Sequence, residues 1–129
     1  MSDFEVFMGR TAPMPREAAL TIYPRGLFSV NRAACNALGD PEAVELLFDR
    51  TERLIGLRGV SARVPHAYPV RTQAASSSVL VSGRAFARHY GISTDVARRY
   101  PAKMIGDVLA INVKDQGVPV GRRTEDEAA

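Results

Sequence analysis

The stretch LTIYPRGLFSVNRAACNALG, residues 20–39, decides the fold. Leu20 and Ile22 alternate with polar neighbours, Pro24, Arg25 and Gly26 supply a turn, and Phe28 and Val30 alternate again, so the pattern predicts a β-hairpin. Asn31 is a good N-cap, residues 32–38 form a short helix, and Gly39 closes it. Asp40 and Pro41 then break the chain. Residues 44–48 read as an apolar strand, 49–53 as a polar turn and 54–57 as a returning strand. The order is strand, strand, helix, strand, strand.

The same order comes again downstream. Tyr68 and Val70 alternate, 72–77 is a small polar loop and 79–81 a strand. Ser82 is the expected N-cap of a helix over 84–90, with Gly91 as its stop. Residues 96–100 are expected as a strand, 101–106 as a turn and 108–113 as the last strand. At an offset of 52, Arg32 falls on Arg84, Ala33 on Ala85, Gly39 on Gly91, Val44 on Val96 and Phe48 on Tyr100. The offset is 48 before the helix, matching Leu20 and Ile22 to Tyr68 and Val70, and 54 at the end, matching Ile55 and Leu57 to Leu109 and Ile111. The length changes fall in expected loops, chiefly 73–78, where insertions are tolerated.

One such unit has too little apolar surface to stand alone. Two can pair, and closing the sheet removes its edges. The expected fold is mostly β with two short helices: a small closed barrel, residues 18–114, built from ββαββ repeats 19–60 and 61–114. Residues 1–17 are expected as an extension in which Phe4, Val6 and Met8 form an edge strand, and 115–129 as a flexible, solvated tail.

Residues 20–39, followed by VELLFD at 44–49 and LIGL at 54–57, resemble the AbrB/SpoVT-like swapped-hairpin unit. The resemblance implies a barrel made from two units with exchanged hairpins, and binding of duplex DNA by a transcriptional regulator or antitoxin. It also implies a DNA-contacting role for Arg25, at the tip of the first hairpin. The chain departs from the family at Asn31, where Pro is usual, and at residues 41–43, where a Gly-Asp pair is usual. Here both units lie in one chain.

Composition bounds the remaining possibilities. The chain has 129 residues, 46% hydrophobic and 24% charged, enough for one globular domain and too apolar for a disordered one. The lone Cys35 excludes an internal disulfide and a cysteine-based zinc cluster, and its place among alanines reads as small core packing. No apolar run reaches the length of a membrane span, and Asp3 and Glu5 stand where a secretory signal has basic residues, so a cytoplasmic location is expected. Of 17 basic residues 15 are Arg, which with the abundant Ala suggests a GC-rich bacterial genome.

The net charge of +3 is unevenly placed. Residues 19–60 carry five basic and five acidic residues, whereas 61–114 carry eight basic against two acidic, a balance of +6. Arginine makes planar two-pronged contacts with phosphate, and each such contact releases counterions from a nucleic acid. The candidate DNA-binding residues are therefore Arg25, Arg71, Arg84, Arg88, Arg98, Arg99 and Lys103, with Ser76, Ser77 and Ser78 as hydroxyl donors. Arg98 and Arg99 point to opposite faces of a strand, so they cannot both meet one ligand.

Catalytic patterns are missing. His66 and His89 stand far apart with no carboxylate at metal-ligand spacing, and Asp49 and Glu52 read as solvated turn residues. No hydrolase elbow, dinucleotide fingerprint or phosphate loop occurs. The reading is a non-enzymatic DNA-binding protein with no cofactor. The alternative is a protein-interaction or structural module that forms a homodimer or takes a partner through the edge strand at 4–8.

Overall fold

Four-residue strands cannot bury their apolar faces within one hairpin, and in the structure each hairpin completes itself on the other repeat. The computed structural model describes residues 17–72, 78–114 and 117–120. Its strands are β1 (Ala19–Ile22), β2 (Leu27–Val30), β3 (Ala43–Asp49), β4 (Leu54–Val60), β5 (Tyr68–Pro69), β6 (Arg71–Thr72), β7 (Val79–Ser82), β8 (Arg98–Ile105), β9 (Val108–Asn112) and β10 (Val118–Pro119). Helix α1 (Arg32–Ala37) follows β2, and α2 (Arg84–His89) follows β7. The sheet order is β5-β3-β4-β9-β8-β1-β2-β7-β6, antiparallel throughout. Its two ends, β5 and β6, are pieces of one extended segment interrupted at Val70, so the sheet nearly closes into a barrel.

The pairings obey a pseudo-two-fold. The first strand of each repeat pairs with the third strand of the other: β1 with β8, Leu20 opposite Tyr100, and β5 with β3, Tyr68 opposite Val44. The second strands meet as β2 and β7, and the fourth strands as β4 and β9. The hairpin β3–β4 has thus left its own β1–β2 and joined the other repeat, and β8–β9 has made the reciprocal exchange. The inward residues Leu20, Ile22, Phe28, Val30, Val44, Ile55, Leu57, Val81, Leu109 and Ile111 form one core, with no buried polar or charged residue among the described residues. Leu46 and Phe48 pack against that core, so the apolar strand expected at 44–48 lines the barrel.

Both helices span six residues at the offset of 52, and both end in the same way. After α1, Gly39 (φ 83°) donates to Asn36 and Asp40 N–H to Cys35 C=O at 3.0 Å; after α2, Gly91 (φ 66°) donates to Arg88 and Ile92 N–H to Ala87 C=O at 2.8 Å. This six-to-one closure needs the left-handed glycine. Asn31 caps α1: its Oδ1 accepts from Ala34 N–H at 2.9 Å and Ala19 N–H at 3.1 Å, and its Nδ2 donates to Glu17 C=O at 3.0 Å.

Four expectations need correction. The N-cap of α2 is Gly83, not Ser82, and makes no side-chain bond. A Cβ there would lie 2.6 Å from the Phe28 ring, so close packing has taken the place of a capping side chain. The third strand of the second repeat is Arg98–Ile105 and its turn is Gly106 and Asp107, not 96–100 and 101–106. With Ile55 and Leu57 matched to Leu109 and Ile111, their partners Phe48 and Leu46 match Met104 and Ala102, an offset of 56 rather than 52. Pro101 is therefore inside a strand. It pairs with Ala19 on one side, and its missing N–H falls in the gap where β9 ends at Ala102 and β10 begins at Arg99. Finally, the tail is not free of the barrel at Val118–Pro119, which pairs with Arg99 and Arg98 of β8, where β9 no longer covers the edge. Gly117 (φ 62°) lets it pass over Tyr100, since a Cβ would sit 2.8 Å from that ring. The expected edge strand at 4–8 and Ser76 and Ser77 lie outside the described residues. Among the described residues no helix is long and apolar enough to cross a membrane.

Candidate nucleic-acid interface

The turn between β1 and β2 is pinned on α2. Tyr23 N–H bonds Leu27 C=O at 2.8 Å, and Gly83 N–H bonds Gly26 C=O at 2.9 Å. A Cβ on Gly26 (φ 82°) would lie 2.5 Å from Arg84 Cα, so the turn lies directly on the first residue of α2. Arg25, between Pro24 and Gly26, is held at φ 75°, a left-handed conformation that costs an L-residue about 1–2 kcal/mol. Its side chain is exposed. Strain of this kind persists where surrounding structure fixes it, and it concentrates at functional positions.

At the other end of α2 stands the tip of the exchanged β3–β4 hairpin. Phe48 meets Tyr90 at 4.5 Å between ring centroids and Phe86 at 6.2 Å; Phe86 also meets Phe28 at 6.3 Å. On this aromatic cluster lie two guanidinium groups: Arg50 at 4.9 Å from the Tyr90 centroid, and Arg53 at 5.1 Å from Phe48. A guanidinium stacked on a ring keeps its in-plane N–H donors for another acceptor. In the same turn the Asp49 carboxylate is occupied by the backbone, accepting from Thr51 and Glu52 N–H at 2.9 Å each.

Arg84 and Arg88 are exposed, one helical turn apart on α2, and line an open groove with Tyr68, Ser82 and Ala85. A six-residue helix is about 9 Å long, so Arg25, Arg50, Arg53, Arg84 and Arg88 gather around one short element. Among the described residues, Arg25, Arg84 and Arg88 have no carboxylate partner.

The other candidates stand apart from this cluster. Arg71 is exposed on β6, opposite Leu80. Arg98, Arg99 and Lys103 are on β8, three places from β7 in the sheet order. Arg98 is half-buried and Arg99 exposed, in keeping with alternation along the strand, and Arg99 shares a groove with Glu17 and Asn31. Lys103 lies in mid-strand opposite Ala110, not in a turn. Ser78 is half-buried.

Sequence reasoning missed Arg50 and Arg53, which it counted with a neutral half. The signal was present in the sequence as aromatics within one or a few residues of each (Phe48) and at the end of the second helix (Tyr90). Three ion pairs lie elsewhere among the described residues: Arg32 with Asp40 at 3.0 Å, and Glu45 with Arg58 at 2.6 Å and with His66 at 2.5 Å. Hydrogen bonds from His66 first and then Arg58 hold the Glu45 carboxyl below the usual carboxylate range. Cys35 is buried, and burial with a contact to Asp40 pushes its thiol up, away from the thiolate a nucleophile needs. Among the described residues no three His, Cys, Asp or Glu side chains cluster as metal ligands. No protein-family model, curated protein or solved structure matches the chain.

Proposed function

We propose that this protein binds duplex DNA through its phosphates, without catalysis, as a transcriptional regulator resembling the AbrB/SpoVT-like proteins. The observation that carries the reading is the gathering of Arg25, Arg50, Arg53, Arg84 and Arg88 around α2. Guanidinium groups gathered at one barrel end, exposed at Arg25, Arg50, Arg84 and Arg88 and half-buried at Arg53, suit a row of phosphates, and packing on rings has already met part of the ordering cost of Arg50 and Arg53. The exchanged hairpins, which are the hallmark the resemblance implies, are what bring Arg50 and Arg53 to the helix of the other repeat.

Five phosphate contacts give a slope of log affinity against log salt of about −4.5, so affinity falls roughly 500-fold between about 50 and 200 mM salt. Fluorescence anisotropy with a labelled duplex across that range tests this. Binding at low salt with a slope near that value supports the reading. Absence of binding at about 50 mM salt, or a slope near zero, overturns it.

A further inference from the structure

Resting on that reading, we infer that the two ends of the pseudo-symmetric barrel differ in binding: the α2 end takes the phosphates, the α1 end is closed to them, and one chain engages one duplex. The basis is a position-by-position comparison of the ends. Arg32 of α1 corresponds to Arg84 of α2, but Arg32 is bonded to Asp40 at 3.0 Å, and the counterpart of Asp40 is the buried Ile92. Asn36 stands where the second helix has Arg88. The hairpin tip 49–53 carries Arg50 and Arg53 beside Asp49 and Glu52, whereas the corresponding tip formed by Gly106 and Asp107 has a carboxylate and no cation. Three corresponding places therefore lose or neutralise a positive charge at the α1 end, and Arg99, exposed in the groove beside Asn31, shares it with Glu17.

The end-for-end difference is spread over several side chains on a shared backbone plan, so no single substitution reverses it. Asp40 occupies a left-handed position (φ 51°) that Asn also tolerates. Asp40→Asn removes the negative charge beside Arg32 while keeping that conformation.

Native mass spectrometry and anisotropy with a duplex of about one helical turn test the inference in the full chain. The wild type is expected to bind one duplex per chain. The double variant Arg84→Ala/Arg88→Ala is expected to lose about tenfold or more in affinity and to lower the salt slope by about two. Arg32→Ala is expected to bind within about twofold of wild type, and Asp40→Asn, which frees one guanidinium only, to keep one duplex per chain. Two duplexes on the wild type, or a loss in Arg32→Ala equal to that of the double variant, overturns the inference and leaves DNA binding standing. A wild type that binds no duplex at about 50 mM salt overturns the DNA-binding reading and the inference with it.

Discussion

Replacing Asn31 by Ala tests whether one side chain ties the helix of the first repeat to the start of its first strand. Asn31 Oδ1 accepts two backbone N–H groups, from Ala34 in the first turn of α1 and from Ala19 at the head of β1, at 2.9 and 3.1 Å. Loss of an N-cap costs about 1 kcal/mol. Ala19 is a buried residue, and a buried N–H left without an acceptor costs about 1–3 kcal/mol more. The Nδ2 bond to Glu17 C=O is exposed and adds little. The sum is about 2–4 kcal/mol, which at about 4 °C per kcal/mol lowers Tm by roughly 8–16 °C. Urea and thermal unfolding followed by circular dichroism measure it. Asn31→Asp keeps the oxygen that accepts both N–H groups and loses only the exposed bond, so it is expected within about 0.5 kcal/mol of wild type. An Ala variant that melts within about 2 °C of wild type, or an Asp variant that falls as far as Ala, refutes the reasoning.

Gly83→Ala places a methyl group 2.6–2.8 Å from three atoms of the fully buried Phe28 ring. It is expected to destabilise by about 1–3 kcal/mol, as overpacking does, and Phe28→Leu in the same chain should recover part of the loss in urea melts. Acid should weaken the fold through Glu45. Its folded pKa is lowered, so its contribution is complete above the unfolded carboxylate value of about 4.3 and is lost as pH falls through the folded value. Glu45→Gln should therefore lose less stability than wild type between about pH 5 and pH 3; equal losses would remove Glu45 from the account.

Much of the barrel is legible in the sequence because local chemistry and tertiary demand agree there. Asn31, Gly39 and Gly91 mark helix ends that the structure keeps, and the alternation of Leu20, Ile22, Phe28 and Val30 marks the faces that turn inward. The misreadings come where a neighbour overrules local preference. Pro101 reads as a turn former, yet it sits in a strand because no β9 or β10 partner asks for its N–H. Ser82 reads as a cap, yet Gly83 holds the cap position, where the Phe28 ring leaves no room for a Cβ, and the helix begins at Arg84 as the sequence predicts. The candidate interface is partly legible. Arg25, Arg84 and Arg88 meet as residues chosen for charge and position, but Arg50 and Arg53 join them only through pairing between repeats, which no count along the chain can reveal. Charge summed by half treats each repeat as a body, whereas the hairpin exchange makes each end of the barrel a mixture of both.

That exchange has a consequence for assembly. The ladders β1–β8, β3–β5, β2–β7 and β4–β9 all join one repeat to the other, so neither repeat owns a complete sheet. Residues 61–67 join the repeats and set the local concentration at which they meet. Cut within that segment, the two pieces are obligate complements, each the template on which the other folds. Shortened until it cannot span the gap, the same segment leaves the ladders to be satisfied between chains, and the single-chain barrel becomes a reciprocal two-chain one held by the pairings it already has.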